Sequence, residues 1–137
     1  MATAHDSTCV QVHYKLGHIH KLQLTCTMDS TDGSYDDFTL TEKFEGRLLD
    51  LITNPSGTTA PQDNYSITLK DQHGHDVLEG VGATRDTADT EKAPIVYAGT
   101  AIHPYVDDSD VLILDIIGNN VNSAITVIEI YYSLGGA

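Results

Sequence analysis

Nearly every patterned stretch of this chain repeats with a period of two, and that property limits its fold more than any other. "VQVHYKL" places Val10, Val12, Tyr14 and Leu16 on one face and Gln11, His13 and Lys15 on the other. "KLQLTCTM" does the same, with Leu22, Leu24, Cys26 and Met28 inward and Lys21, Gln23, Thr25 and Thr27 outward. "NYSITLK" sets Tyr65, Ile67 and Leu69 against Asn64, Ser66 and Thr68. Further strands are expected over residues 37–44, 47–53, 95–103, 111–117 and 125–134. Between them lie turn-forming clusters, "DSTDGSYDD", "NPSGTTAPQDN", "DQHG", "HPYVDDSD" and "GNNVNS". No segment carries a long apolar stripe at helical spacing, and "RLLDLI" is the only helix competitor. Eight or nine short strands with no internal repeat or linker imply one all-β domain, a sandwich or a barrel.

The length of 137 residues suits one domain, which buries roughly two-thirds of its unfolded surface. Charge narrows the partners. Twenty acidic against seven basic residues give −13, with no Lys/Arg cluster. Nucleic acid is not expected as a partner, because phosphate binding needs clustered cations. An anionic membrane surface is disfavoured on the same ground. The first ten residues, "MATAHDSTCV", have neither a basic nor an apolar leader region and are not read as a signal peptide. Cys9 and Cys26 lack a CxxC pattern and are read as two thiols made in a reducing cytoplasm, able to pair if neighbouring strands bring them together.

Two strands break the alternation. In "VLILDIIG" Val111, Ile113 and Ile117 share one parity, and Leu112, Leu114 and Ile116 the other. In "AITVIEIYYSL" Ile125 and Val127 oppose Ile128, Ile130 and Tyr132. A strand with one wet face does not read this way. Either loops of the same chain cover the second face, or another subunit does. Burial stabilises each such side chain by roughly 1.5–3 kcal/mol, which favours a cover of one kind or the other. The residues expected at a subunit contact are Ile113, Ile117, Ile128, Ile130 and Tyr132.

Candidate chemistry is sparse. "GHIH" places His18 and His20 on one side of a strand, the geometry for two imidazoles on one metal. It is similar to the first cupin motif, but the next acid is Asp29, so the third ligand is missing and surface histidines are the expectation. "DQHGHD" holds Asp71, His73, His75 and Asp76 around a glycine and reads as a hairpin tip. The acidic loops depart from EF-hand spacing and read as solvated. No GxSxG nucleophile, phosphate loop or Cys–His context is present. No catalytic residue, metal or cofactor is therefore expected.

The run "NPSGTTAPQDNYSITLKDQHGHDVLEGVGATRDTADTEKAP", residues 54–94, resembles structural proteins of tailed bacteriophages, specifically capsid decoration (cement) proteins. The resemblance implies a jelly-roll-like antiparallel β-sandwich. It also implies a homotrimer on the outer capsid surface, synthesised in the host cytoplasm, tying capsomers of the major capsid protein together. Residues 1–8 are expected to form a flexible arm ahead of the domain at 9–137. Ala2, Thr3, Ala4, His5 and Asp6, with Asn54 and Pro55, are the expected shell contacts. Two alternatives stay open: a carbohydrate- or receptor-binding β-sandwich module, and a cupin-like metalloenzyme.

Overall fold

Alternating strands need a second layer to cover their apolar faces, and here two antiparallel sheets supply it to each other. The computed structural model describes residues 6–41, 43–97, 99–107 and 109–134. Among these residues nine strands run in chain order: β1 Thr8–Leu16, β2 Ile19–Thr27, β3 Phe38–Thr39, β4 Gly46–Pro55, β5 Ser66–Lys70, β6 Glu91–Pro94, β7 Tyr105–Val106, β8 Ile113–Ile117 and β9 Ile125–Ser133. The larger sheet has the order β1-β2-β9-β4-β6, with β7 also paired to β4, and the smaller has the order β3-β8-β5. The fold is thus all-β and a two-sheet sandwich, as the periodicity predicts. Among the described residues no helix is long and apolar enough to cross a membrane.

The core lies between the sheets. Leu22, Leu24, Leu48, Leu51, Ile128 and Ile130 come from the larger one, and Ile67, Leu69, Leu114 and Ile116 from the smaller. Tyr65 is fully buried, and its hydroxyl reaches Thr126 Oγ1 at 2.8 Å, so its polar tip costs little.

"RLLDLI" is a strand, and its helix-like look has a simple cause. Pairing with β9 slips between Leu48 and Asp50, so Leu49 is an extra residue. That bulge puts Leu48 and Leu51 on the same buried face at a spacing of three. Two expected strands change. Residues 37–44 shrink to the two-residue β3. Residues 95–103 form no strand: after Ile95 the chain turns through Gly99 (φ +75°), closed by the Tyr97 N–H on the Ile102 carbonyl. The strands of this region are its flanks, β6 and β7. "EKAP" has no apolar alternation because it pairs only at an edge of the sheet, where its closing proline is tolerated.

In β1 the face carrying Val10, Val12 and Tyr14 is the outer one. The hairpin turn at Gly17 (φ +72°) and His18 closes on the pair Leu16–Ile19 and fixes the register. Cys9, Gln11 and His13 therefore lie opposite the buried Cys26, Leu24 and Leu22. Inward polarity is satisfied: Gln11 Oε1 accepts from the Thr41 amide (2.8 Å) and hydroxyl (3.0 Å).

Of the arm expected at residues 1–8, residues 6–8 are held by the domain. Thr8 belongs to β1, the Asp6 amide donates to Asp29 Oδ2 at 2.9 Å, and Asp6 Oδ1 accepts from the Ser30 amide at 2.7 Å. Met1 to His5 lie outside the described residues. Asp29 Oδ1 accepts from Thr31 Oγ1 (2.5 Å) and from the Thr31 and Asp32 amides (2.7 and 3.1 Å). These donors, led by Thr31, hold its carboxyl far below the usual range. A lowered carboxylate pKa contributes stability that is present above the unfolded value of about 3.9 and lost as pH falls below it. Melting temperature is thus expected to drop on acidification below about pH 4, and to drop less in Asp29→Asn, which starts lower at pH 7; thermal melts from pH 7 to 2 check this.

Candidate functional surfaces

On the larger sheet the register aligns outward side chains in rows. One row runs Val10, Thr25, Val127 and Asn54; the next Val12, Gln23, Glu129, Ile52 and Lys92; the next Tyr14, Lys21, Tyr131, Asp50 and Pro94. Among the described residues no second layer covers the β1 end of these rows. Val10 is 58% exposed, and Val12, Tyr14 and Ile19 are exposed beside it. Lys21 bridges the middle, 2.8 Å from Glu129 Oε2 and 4.6 Å from the Tyr14 ring centroid.

The smaller sheet shows a second uncovered face. Ile117 is 58% exposed, Val111 is exposed, and Ile113 is half-buried, while Leu112, Leu114 and Ile116 point into the core. Asp115 stands between the isoleucines, opposite Thr68 and beside Asp37. Burial, and then the neighbouring Asp37 carboxyl, push its pKa up. A raised carboxyl pKa means the folded state holds the proton more tightly, so stability is lost as pH rises through the window above the unfolded value. Asp115→Asn is expected to raise the melting temperature at pH 7 and to leave it unchanged at pH 3.

A third feature is a cleft at the end of the sandwich where the β1–β2 hairpin meets residues 43–45. It measures about 400 Å³ and is lined by His13, Lys15, His20, Lys43, Phe44, Glu45, Tyr132 and Leu134. The Phe44 and Tyr132 rings pack at 4.5 Å between centroids. Because Thr41 fixes the Gln11 amide, Gln11 Nε2 donates to His13 Nε2 at 2.8 Å. His13 Nδ1 lies 3.2 Å from the Tyr132 hydroxyl, which in turn faces His20 Nδ1 at 3.4 Å. The hydroxyl thus stands between two imidazoles.

These placements revise several readings. His18 sits in the hairpin turn and His20 is buried, so "GHIH" presents neither a surface pair nor two imidazoles on one strand face. "DQHGHD" is a tip, as its sequence predicts: Asp71 Oδ1 accepts from the His73 and His75 amides at 2.9 and 3.1 Å, and Gly74 takes φ +83°. His75 pairs with Glu79 at 2.5 Å, outside any cluster. Among the described residues no three His, Cys, Asp or Glu side chains converge as metal ligands would.

Of the expected subunit contacts, Ile113 and Ile117 face outward, but Ile128, Ile130 and Tyr132 do not. They are 0%, 0% and 2% exposed, inside the chain's own core, so the outward apolar side chains of β9 are Ile125, Val127 and Tyr131. Ala2, Thr3, Ala4 and His5 fall outside the described residues. Asn54 is exposed, accepting from the Thr90 hydroxyl at 3.0 Å, and Pro55 is buried.

No protein-family model matches the chain, and comparison with curated proteins and with solved structures finds no match. The surfaces themselves carry the functional argument. Sequence reasoning missed the exposed Val10–Tyr14 row, whose signal was the polar parity of an edge strand. It also missed the His13–Tyr132 contact, whose partners lie 119 residues apart and leave no local trace.

Proposed function

We propose that this protein is a non-enzymatic shell component that binds the outer surface of a tailed-phage capsid as a homotrimer and ties neighbouring capsomers together. The observation that carries the reading is the exposure of apolar side chains on the outer faces of both sheets. Ile113 and Ile117 stand on one, and Val10, Val12, Tyr14 and Ile19 on the other. A bridge needs two adhesive surfaces, one for its own copies and one for the shell. The smaller sheet is assigned to self-association and the larger face to the shell, with Ala2–His5 and Asn54 as flanking contacts. The strand order β2-β9-β4-β7 facing β3-β8-β5 supports a jelly-roll-like reading, an architecture common in capsid domains. The likeness of residues 54–94 to decoration proteins supports it too.

The mechanism is mass action. A ligand that binds only the assembled shell stabilises it by RT ln(1 + [L]/Kd), about 2.7 kcal/mol per site at a hundredfold excess over Kd. Linking three copies raises the gain through effective concentration. The test mixes purified protein with capsids lacking it. Saturable co-sedimentation and a higher capsid melting temperature are expected, together with trimers by sedimentation velocity. Ile117→Asp is expected to abolish trimers without unfolding the chain. Protein that never pellets with capsids overturns the reading.

A further inference from the structure

We propose that Cys9 and Cys26 form a thiol–disulfide site that reacts with small disulfides and closes into an intrachain bond across the β1–β2 hairpin. The inference is independent of the capsid reading and rests on where the hairpin register puts the two sulfurs. Both thiols are free, and Cys26 Sγ lies 3.8 Å from Cys9 Sγ. A two-residue turn forces its closing pair, Leu16–Ile19, to be a hydrogen-bonded one. Pair types alternate along an antiparallel ladder, so Cys9 and Cys26 occupy a non-hydrogen-bonded site. Such partners have Cα atoms roughly 4.5 Å apart, within the roughly 4.4–6.8 Å that a disulfide spans. Sulfurs already in contact need only small side-chain rotations to bond.

The two cysteines also differ in the way a two-step exchange requires. Cys9 is partly exposed on an edge strand, whereas Cys26 is fully buried. The hydrogen bond donated by Cys26 lowers the pKa of Cys9, and that bond together with burial raises that of Cys26. Tyr35 is buried next to both sulfurs, and among the described residues its hydroxyl has no hydrogen-bond partner, so it can donate to a Cys9 thiolate as charge develops there.

The chemistry balances with a low-molecular-weight disulfide, such as oxidised glutathione, as the oxidant. The Cys9 thiolate attacks one sulfur of that disulfide, forming a mixed disulfide and expelling one thiolate. Cys26 then loses its proton and attacks the Cys9 sulfur, expelling the second. The protein gives up two electrons and two protons, and the oxidant leaves as two thiols. The closed bond pins β1, which among the described residues has a strand partner on one side only.

The test equilibrates the full chain with oxidised glutathione, quenches with an alkylating agent and reads intact mass and peptide maps. The expected product is monomeric, takes up no alkyl groups, is lighter by two hydrogens and yields a Cys9–Cys26 linked peptide. Closing a loop of this size is expected to raise the melting temperature by roughly 10 °C. Cys26→Ala is expected to stop at one glutathione adduct on Cys9, and Cys9→Ala to stay unmodified while folded. Wild-type protein that keeps two alkylatable thiols, that cross-links between chains, or that melts lower when oxidised overturns the proposal. So does a Cys9→Ala variant that reacts as fast as wild type.

Discussion

Ile128→Asp is expected to leave the chain unfolded at room temperature. Ile128 is 0% exposed and pairs with Leu24 on β2 and Thr53 on β4, so it sits at the middle of the larger sheet's inner face. Truncating a buried isoleucine to alanine costs about 2–5 kcal/mol. Taking a carboxylate out of water there adds several more. The total approaches the whole stability of a domain, roughly 5–15 kcal/mol. Ile117→Asp is the control, since its side chain is 58% exposed and its loss should leave the far-UV circular dichroism and the melt of the monomer nearly unchanged. A folded Ile128→Asp variant would overturn the placement of β9 in the core.

Gly33→Ala is expected to lose about 3 kcal/mol. Gly33 has φ +73°, a conformation costing an alanine roughly 1–2 kcal/mol. Its added carbon would also stand 2.5 Å from the backbone carbon of Asn120, so two chain segments must move apart. Their separation strains the Asn119 Nδ2 bond to the Gly33 carbonyl (2.8 Å) and the Ser123 amide bond to the Asp29 carbonyl (3.0 Å), each worth about 1 kcal/mol. Gly57→Ala is the contrast: nothing lies within 4 Å of its added carbon, and its stability in urea should match wild type.

The core was legible where alternation and burial agree, as at Leu22, Leu24, Ile67 and Leu69. It failed where a strand's face is set by something other than its own apolar parity. Val10, Val12 and Tyr14 form the apolar side of β1, yet the Gly17–His18 turn and the strong parity of β2 decide the register, and they turn that side outward. In β9 both parities are apolar, so periodicity cannot choose, and Ile128 and Ile130, expected at a contact, belong to the core. At 95–103 the apolar residues Ile95, Val96, Tyr97 and Ile102 suggest a strand, but Gly99 breaks it into a turn whose backbone bonds close locally. The hairpin tip at Asp71–Asp76 was readable because its cause is local: a carboxylate capping amides and a glycine at positive φ. The cleft was not, because its histidines and tyrosine meet only through tertiary pairing.

The position of β9 has a consequence for synthesis. Among the described residues β9 lies between β2 and β4, where it supplies the only ladder joining the β1–β2 hairpin to the rest of the larger sheet. While a ribosome is still making residues 125–133, that hairpin has an open inner edge and β4 has no neighbour on its β9 side. Both edges are complementary to each other's missing partner in any nearby nascent chain. Sheet closure is therefore a late, long-range event, and the interval before it is when this sequence is most exposed to strand exchange between copies.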